Sequence, residues 1–305
     1  MPPSISHEGY SDKPAYSYWD DFWALRGYKD ALLTARVLGH ENEAQRWSQW
    51  LQSFERELGA SINATAAHHR IDFIPGAADR GDFDPTSTTI ALNPVQAELP
   101  PALLGATFER YWRESLARAE GKREWKDYTP YELRSVGALA RLGHGMRAHA
   151  MLDFFMRDRR PAAWNQWAEV VRPGYRERGF FGDLPHAWVA SDYIRSALDL
   201  FAYEREADAS IVVGAGWKTE WLAQGLEVRG LSTAFGVLDY KLERASDGWR
   251  FRLARGLPDA RGGVQLQWPG DGPLPLAQID GRVLSWSGRS LTLPAAAGTL
   301  TLIRR

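Results

Sequence analysis

The chain contains no cysteine, which excludes disulfides and cysteine-ligated metal sites and leaves the compartment open. An excess of one charge is also missing. The 37 Lys and Arg against 38 Asp and Glu give a formal net charge of −1, where a nucleic-acid binder would show a basic surplus. No apolar run approaches the roughly 18 residues that a membrane span requires. The polar stretch Met1–Asp12 has no apolar segment of the kind that marks a secretory signal. Histidines at zinc-ligand spacing are lacking too: His68 and His69 are adjacent on an expected helix and face different directions. The expectation is a globular chain without metal or cofactor, and without a nucleic-acid or membrane partner.

What the chain does have is length and aromatic mass. Its 305 residues, 44% of them hydrophobic, can bury a large core. Fourteen Trp stand among 12% aromatics. Large core side chains account for many of them, but Trp and Tyr also make flat amphipathic surfaces on which sugar rings stack.

The first two thirds carry helical periods. Phe22, Leu25, Tyr28, Leu32 and Leu33 recur at three- and four-residue steps, and Trp47, Trp50, Leu51, Phe54 and Leu58 mark one side of a second helix from Glu41 to about Ala67. Further helices are expected at Leu103–Glu120, Pro130–Leu142, Met146–Arg157 and Ala187–Glu206. In the last of these, Ala187, Ala190, Ile194, Leu198 and Phe201 keep the period. Six helices can pair as three hairpins. Two long connections, Ile71–Pro101 and Arg159–His186, exceed the length at which a loop is usually either functional or disordered, and their Trp, Phe, Gly and acids argue against disorder. Beyond about Ala207 short β-branched or alternating runs, broken by Gly, Pro and Asp-Gly, predict a small antiparallel β domain. The expected division is a segment 1–14, a helical domain 15–207 and a β domain 208–305.

Four segments hold residues suited to chemistry, each before a helix or in a long connection. Trp19, Asp20 and Asp21 open the first helix; an acidic cap explains one Asp, while Trp19, Tyr18 and Asp20 suit sugar contact. Residues 78–89 carry Asp82, Asp84 and a Thr/Ser cluster, which serve either as turn chemistry or as a site. Asp84 lies between Phe83 and Pro85, and a carboxyl shut from water beside an aromatic ring keeps its proton near neutral pH, as a general acid must. Asp82 competes for that role. Tyr131, Glu132 and Arg134 before the fourth helix offer substrate contacts, although Glu132 also suits a helix dipole. Last, Trp164, Trp167 and Glu169 are followed by Glu177, Asp183, His186 and Trp188. A second carboxylate across a pocket from Asp84 is what glycoside hydrolysis needs, and Glu169, Glu177 and Asp183 are all eligible. His186 suits packing, capping or substrate contact better than metal ligation.

Taken together, Trp19-Asp20, Gly81-Asp-Phe-Asp-Pro-Thr-Ser and Gly182-Asp-Leu-Pro-His-Ala-Trp resemble the six-hairpin (α/α)6-toroid glycosidases, the broad group containing trehalase and the glycan-processing α-glucosidases. The resemblance spans about Ala15 to Glu243, and no motif is identical. It implies a sugar contact at Trp19-Asp20, a general acid at Asp84 and a general base in the loop before the final helix, where Glu169 comes first by position and Glu177 second. Asp82, Tyr131, Glu132, Trp164, Trp167 and His186 would line the substrate groove. It also implies inverting hydrolysis of an oligo- or polysaccharide, a small antiparallel β-sandwich without catalytic part, and a periplasmic or extracellular parent enzyme. A full toroid has six hairpins and three are read here. The expected architecture is therefore a partial toroid, the C-terminal part of a larger enzyme or a chain that pairs with an N-terminal half-toroid or with itself. Two alternatives are an inactive carbohydrate-binding remnant and a toroidal polysaccharide lyase, in which His186, Tyr175 or Arg172 would replace Asp84 in importance.

Overall fold

A computed structural model describes residues 1–5, 12–174 and 182–304. The chain clusters into two compact units, Met1–Arg134 with Ala168–Leu184, and Ser135–Trp167 with Pro185–Arg305. It is helical in its N-terminal part and sheet-rich in its C-terminal part.

In the first unit α1 (Tyr18–Val37) and α2 (Glu41–His69) form a hairpin closed at Gly39, whose φ of +71° lets the chain reverse without a Cβ penalty. Phe22, Leu25 and Leu32 of α1, and Leu58 and Ile62 of α2, are buried, each large side chain contributing about 1.5–3 kcal/mol. The buried stripes are narrower than the sequence periods suggest. Leu33 and Trp50 are 57% and 48% exposed, because each sits about 100° around its helix from a neighbour that faces inward or lies nearer the seam. Tyr18 is also buried, its hydroxyl 2.8 Å from both Ser61 and Thr65, so it offers no ring to a sugar.

The connection after α2 is ordered. Tyr18 N–H donates to Gly76 O, Ala78 N–H to Tyr16 O, and Ile74 N–H to the Thr107 hydroxyl. It contains α3 (Pro85–Leu92), which the sequence does not announce: Ile90 and Ala91 are buried beside Ser87, Thr88 and Thr89, so no polar face alternates with an apolar one. Next come α4 (Pro101–Ala119) and a single tight turn, Pro130–Leu133, capped by Thr129.

The second unit holds α5 (Arg134–Arg141) from Ser135 onward, α6 (Gly145–Arg157) and α7 (Ala187–Asp199). In α7 the buried residues are Val189, Asp192, Ser196 and Asp199, while Ile194 and Leu198 are 57% and 43% exposed. The face expected from the apolar period is thus not the buried one. Asp199 is turned inward by Arg141, whose Nε and Nη2 reach its two oxygens at 2.7 and 3.0 Å. A Cβ on Gly137 would stand 2.8 Å from one of those oxygens, so the approach depends on that glycine. The helix stops at Asp199, short of the expected Glu206, since Ala202–Arg205 pairs as a strand.

That strand, β1 (Ala202–Arg205), is followed by β2 (Ser210–Val213), the short α8 (Trp221–Gln224), β3 (Leu226–Thr233), β4 (Gly236–Ala245), β5 (Gly248–Leu253) and β6 (Val264–Gln267). The chain continues with β7 (Leu276–Ile279), β8 (Arg282–Leu284), β9 (Ser290–Leu293) and β10 (Gly298–Ile303). Strands β3-β4-β5-β10-β7-β8 make an antiparallel sheet of six, and β1-β2-β6-β9 a sheet of four. The smaller sheet corrects the expectation of a purely antiparallel region. Strands β2 and β6 run parallel, because the chain leaves for the other sheet between them and returns in the same sense. Alternate residues Leu238, Tyr240 and Leu242 of β4 meet Ile211, Val213, Val264 and Leu266 of the smaller sheet in one buried cluster, a two-layer arrangement.

Candidate active site

Asp84 is the N-cap of α3. Its carboxylate accepts the Ser87 N–H at 3.0 Å and the Ser87 hydroxyl, and Pro85 at the first helical position fixes the backbone that follows. The preceding Phe83 is clamped: its ring meets Phe73 edge-on at 5.1 Å, and the Arg110 guanidinium lies 3.9 Å from its centroid. Burial pushes the Asp84 carboxyl above its ordinary range, with the Ser87 bonds pulling down and the nearby Asp82 adding to the rise. The native state therefore holds the Asp84 proton more tightly than the unfolded chain. Stability due to this group falls as pH rises from the ordinary aspartate value of 3.8 to the raised native one, then levels off. Asp84→Asn should abolish that decline. In urea titrations across about pH 4 to 7 the variant should gain on the parent as pH rises, and a constant difference would show the carboxyl to be unperturbed.

Asp84 lines a cavity of about 420 Å³, and so does Glu132. Glu132 is 8% exposed and accepts from Tyr111 Oη at 2.7 Å and from Arg118 Nη1 and Nη2 at 2.9 and 2.5 Å. This bidentate pair sets Glu132 against the α4 face. The Arg118 guanidinium also covers the Tyr128 ring at 4.4 Å, and Tyr128 meets Trp125 edge-on at 5.4 Å. Trp125, Lys126 and Asp127 complete one wall. Arg118, Trp125 and Asp127 are residues that sequence reasoning missed. The signal was slight: a lone Trp in the charged run Lys122–Asp127, and Tyr111 and Arg118 seven positions apart on one helix face.

The other expected residues divide. In the first unit Trp19 is 4% and Tyr131 5% exposed, and the Arg134 guanidinium lies between them, 5.1 and 4.6 Å from their ring centroids. Trp19 thus presents its face to a cation in this structure. Asp20 accepts the Ser4 hydroxyl, while Asp82 accepts the Ala77 N–H at 3.1 Å and shapes the turn before Asp84. Glu169 is partly buried; its backbone N–H donates to Asp183 O at 3.2 Å, and its side chain lies against Gly182. Asp183 is exposed. In the second unit Trp164 is 61% exposed, and Trp167 is 7% exposed with Nε1 donating to Phe155 O at 3.0 Å. The His186 N–H donates to Trp167 O at 3.2 Å as α7 begins. Glu177 and Tyr175 lie outside the described residues. Among the described residues no group of three His, Asp or Glu is placed to hold a metal ion, and no helix is long and apolar enough to cross a membrane.

No protein-family model matches the chain, and no curated protein is detectably similar to it in sequence.

Proposed function

We propose that the chain is the catalytic-type part of an (α/α)6-toroid glycoside hydrolase, hydrolysing an oligo- or polysaccharide with inversion. The observation that carries this reading is Asp84, a carboxyl pushed up by burial at the wall of a cavity that also holds Glu132 and Trp125. A protonated carboxyl there donates to the leaving glycosidic oxygen, Glu132 and Asp127 accept from sugar hydroxyls, and Trp125 offers an apolar face to the ring. Glu169 is the proposed base that activates water, and in an inverting enzyme its carboxyl would stand about 6.5–9.5 Å from that of Asp84. Helices α1, α2, α4, α5, α6 and α7 would supply three of a toroid's six hairpins, and in the first unit the exposed Trp23, Leu33 and Trp50 suit a further helical partner.

The test is product chemistry. Incubation with a panel of oligosaccharides should release new reducing ends whose first-formed anomer, followed by NMR, is inverted. An unsaturated product absorbing in the ultraviolet would instead mark a lyase. Absence of both would favour a sugar-binding remnant, the second reading, which the double engagement of Asp84 as a helix cap supports.

Gly182 gives an independent handle on the base. Its φ is +61°, and a Cβ there would overlap the Glu169 carboxylate and the Glu169 Cβ. Gly182→Ala should therefore displace Glu169 and lower turnover as far as Glu169→Gln does, roughly 10²-fold or more. A Gly182→Ala protein with parental turnover would remove Glu169 from the mechanism.

A further inference from the structure

In the sheet-rich unit the loop Trp268–Pro273 is pinned by a cation. Arg289 donates through Nε to Trp268 O at 3.1 Å, through Nη1 to Gly272 O at 2.9 Å and through Nη2 to Pro269 O at 3.1 Å. Three carbonyls hold it, and among the described residues no carboxylate neutralises it. Beside the loop opens a cavity of about 630 Å³, within the roughly 300–1,000 Å³ of small-molecule sites.

One wall is apolar and fixed. Trp249 donates Nε1–H to Leu222 O at 2.8 Å and meets Trp268 edge-on at 5.1 Å, with Leu222 and Pro275 completing that wall. The charged residues of the lining are mostly cationic: Arg244, Arg289 and Arg304 against a single acid, Asp271. Elsewhere in this unit Arg205, Arg229 and Arg255 each hold a carboxylate. Arg244 instead rests 5.0 Å over the Trp249 ring, and among the described residues neither it nor Arg304 forms an ion pair. An occupant must therefore bring negative charge on one side and an apolar face on the other.

We propose that this cavity binds a carboxylate-bearing saccharide, a uronate-containing chain, as a non-catalytic anchoring site. The guanidinium forks of Arg244 and Arg304 take the carboxylate, and the C–H face of the sugar lies along the tryptophan wall. The choice of a saccharide among anions rests on the glycosidase reading. The charge arrangement does not.

Calorimetric titration of the full chain with trigalacturonate, with maltotriose and with inorganic phosphate tests it. Trigalacturonate should bind the parent and Asp84→Asn proteins alike, weaken with added salt, and lose at least about tenfold in Arg244→Gln/Arg304→Gln, each positive charge near the ligand contributing measurably. Both arginines are exposed, so the double variant should fold, as its melting temperature would record. Undiminished binding in the double variant, equal affinity for maltotriose, or displacement by phosphate at the same concentration would each overturn the proposal. If trigalacturonate binds as expected but no glycan yields reducing ends, the glycosidase reading fails and the anchoring site stands.

Discussion

Asp84→Asn is expected to lower turnover by about 10²–10⁴-fold while the chain stays folded. The asparagine amide keeps the size of the carboxylate and still accepts from the Ser87 N–H, so the cap of α3 survives in outline. What it loses is the proton. An amide cannot protonate a leaving glycosidic oxygen, so the variant has no proton to deliver at this position. Initial rates of reducing-end release, measured beside thermal melts, separate the two effects. A near-parental rate in Asp84→Asn would end its assignment as general acid, and a dead Asp82→Asn in the same assay would move the role to that neighbour. Asp84→Ala should do worse on both counts, because it also removes the cap, at a cost of about 0.5–2 kcal/mol.

The largest loss of stability is expected from Asp199→Ala. Arg141 and Asp199 retain only 9% and 6% of their side-chain exposure and meet through two hydrogen bonds. Removing one partner leaves a guanidinium buried without its counter-charge, which costs about 3–5 kcal/mol. Urea unfolding should show this as a lowered midpoint with an unchanged slope. Replacing both partners, as Arg141→Leu/Asp199→Leu, should recover much of the loss, since apolar groups of similar volume carry no desolvation cost. A single variant that loses less than about 1 kcal/mol would mean that solvent reaches the guanidinium.

The sequence shows the long helices where one face alternates cleanly with another, as in α2 and α6, and the strands with strict alternation, as in β4 and β5. It misleads where burial does not follow apolarity. In α7 the inward residues are Val189, Asp192, Ser196 and Asp199, the last of them held by Arg141 of α5, while the apolar period at Ile194 and Leu198 faces outward. Helix α3 hides for the opposite reason: buried along most of its length, it needs no alternation. Strands β7, β8 and β9 are three or four residues long between Gly and Pro turns, too short to carry a period.

The candidate site is legible to the same degree. Asp84 announces itself through Phe83, Pro85 and the Thr/Ser cluster, which act within a few residues. Arg118 reaches Glu132 across a turn and a charged run, and only the folded chain brings them together.

The parallel pairing of β2 with β6 also dictates an order of assembly. Strands β3, β4 and β5 follow one another through short reversals and can zip locally, on microsecond timescales for each hairpin. Strand β2 must wait, since its inner neighbour begins only at Val264, after that whole meander. On a ribosome, Ile211, Val212 and Val213, all fully buried at the end, would emerge with only β1 to cover them. Such an interval of uncovered β-branched edge is where nascent chains recruit chaperones or aggregate, so synthesis rate between Val213 and Val264 becomes a determinant of yield.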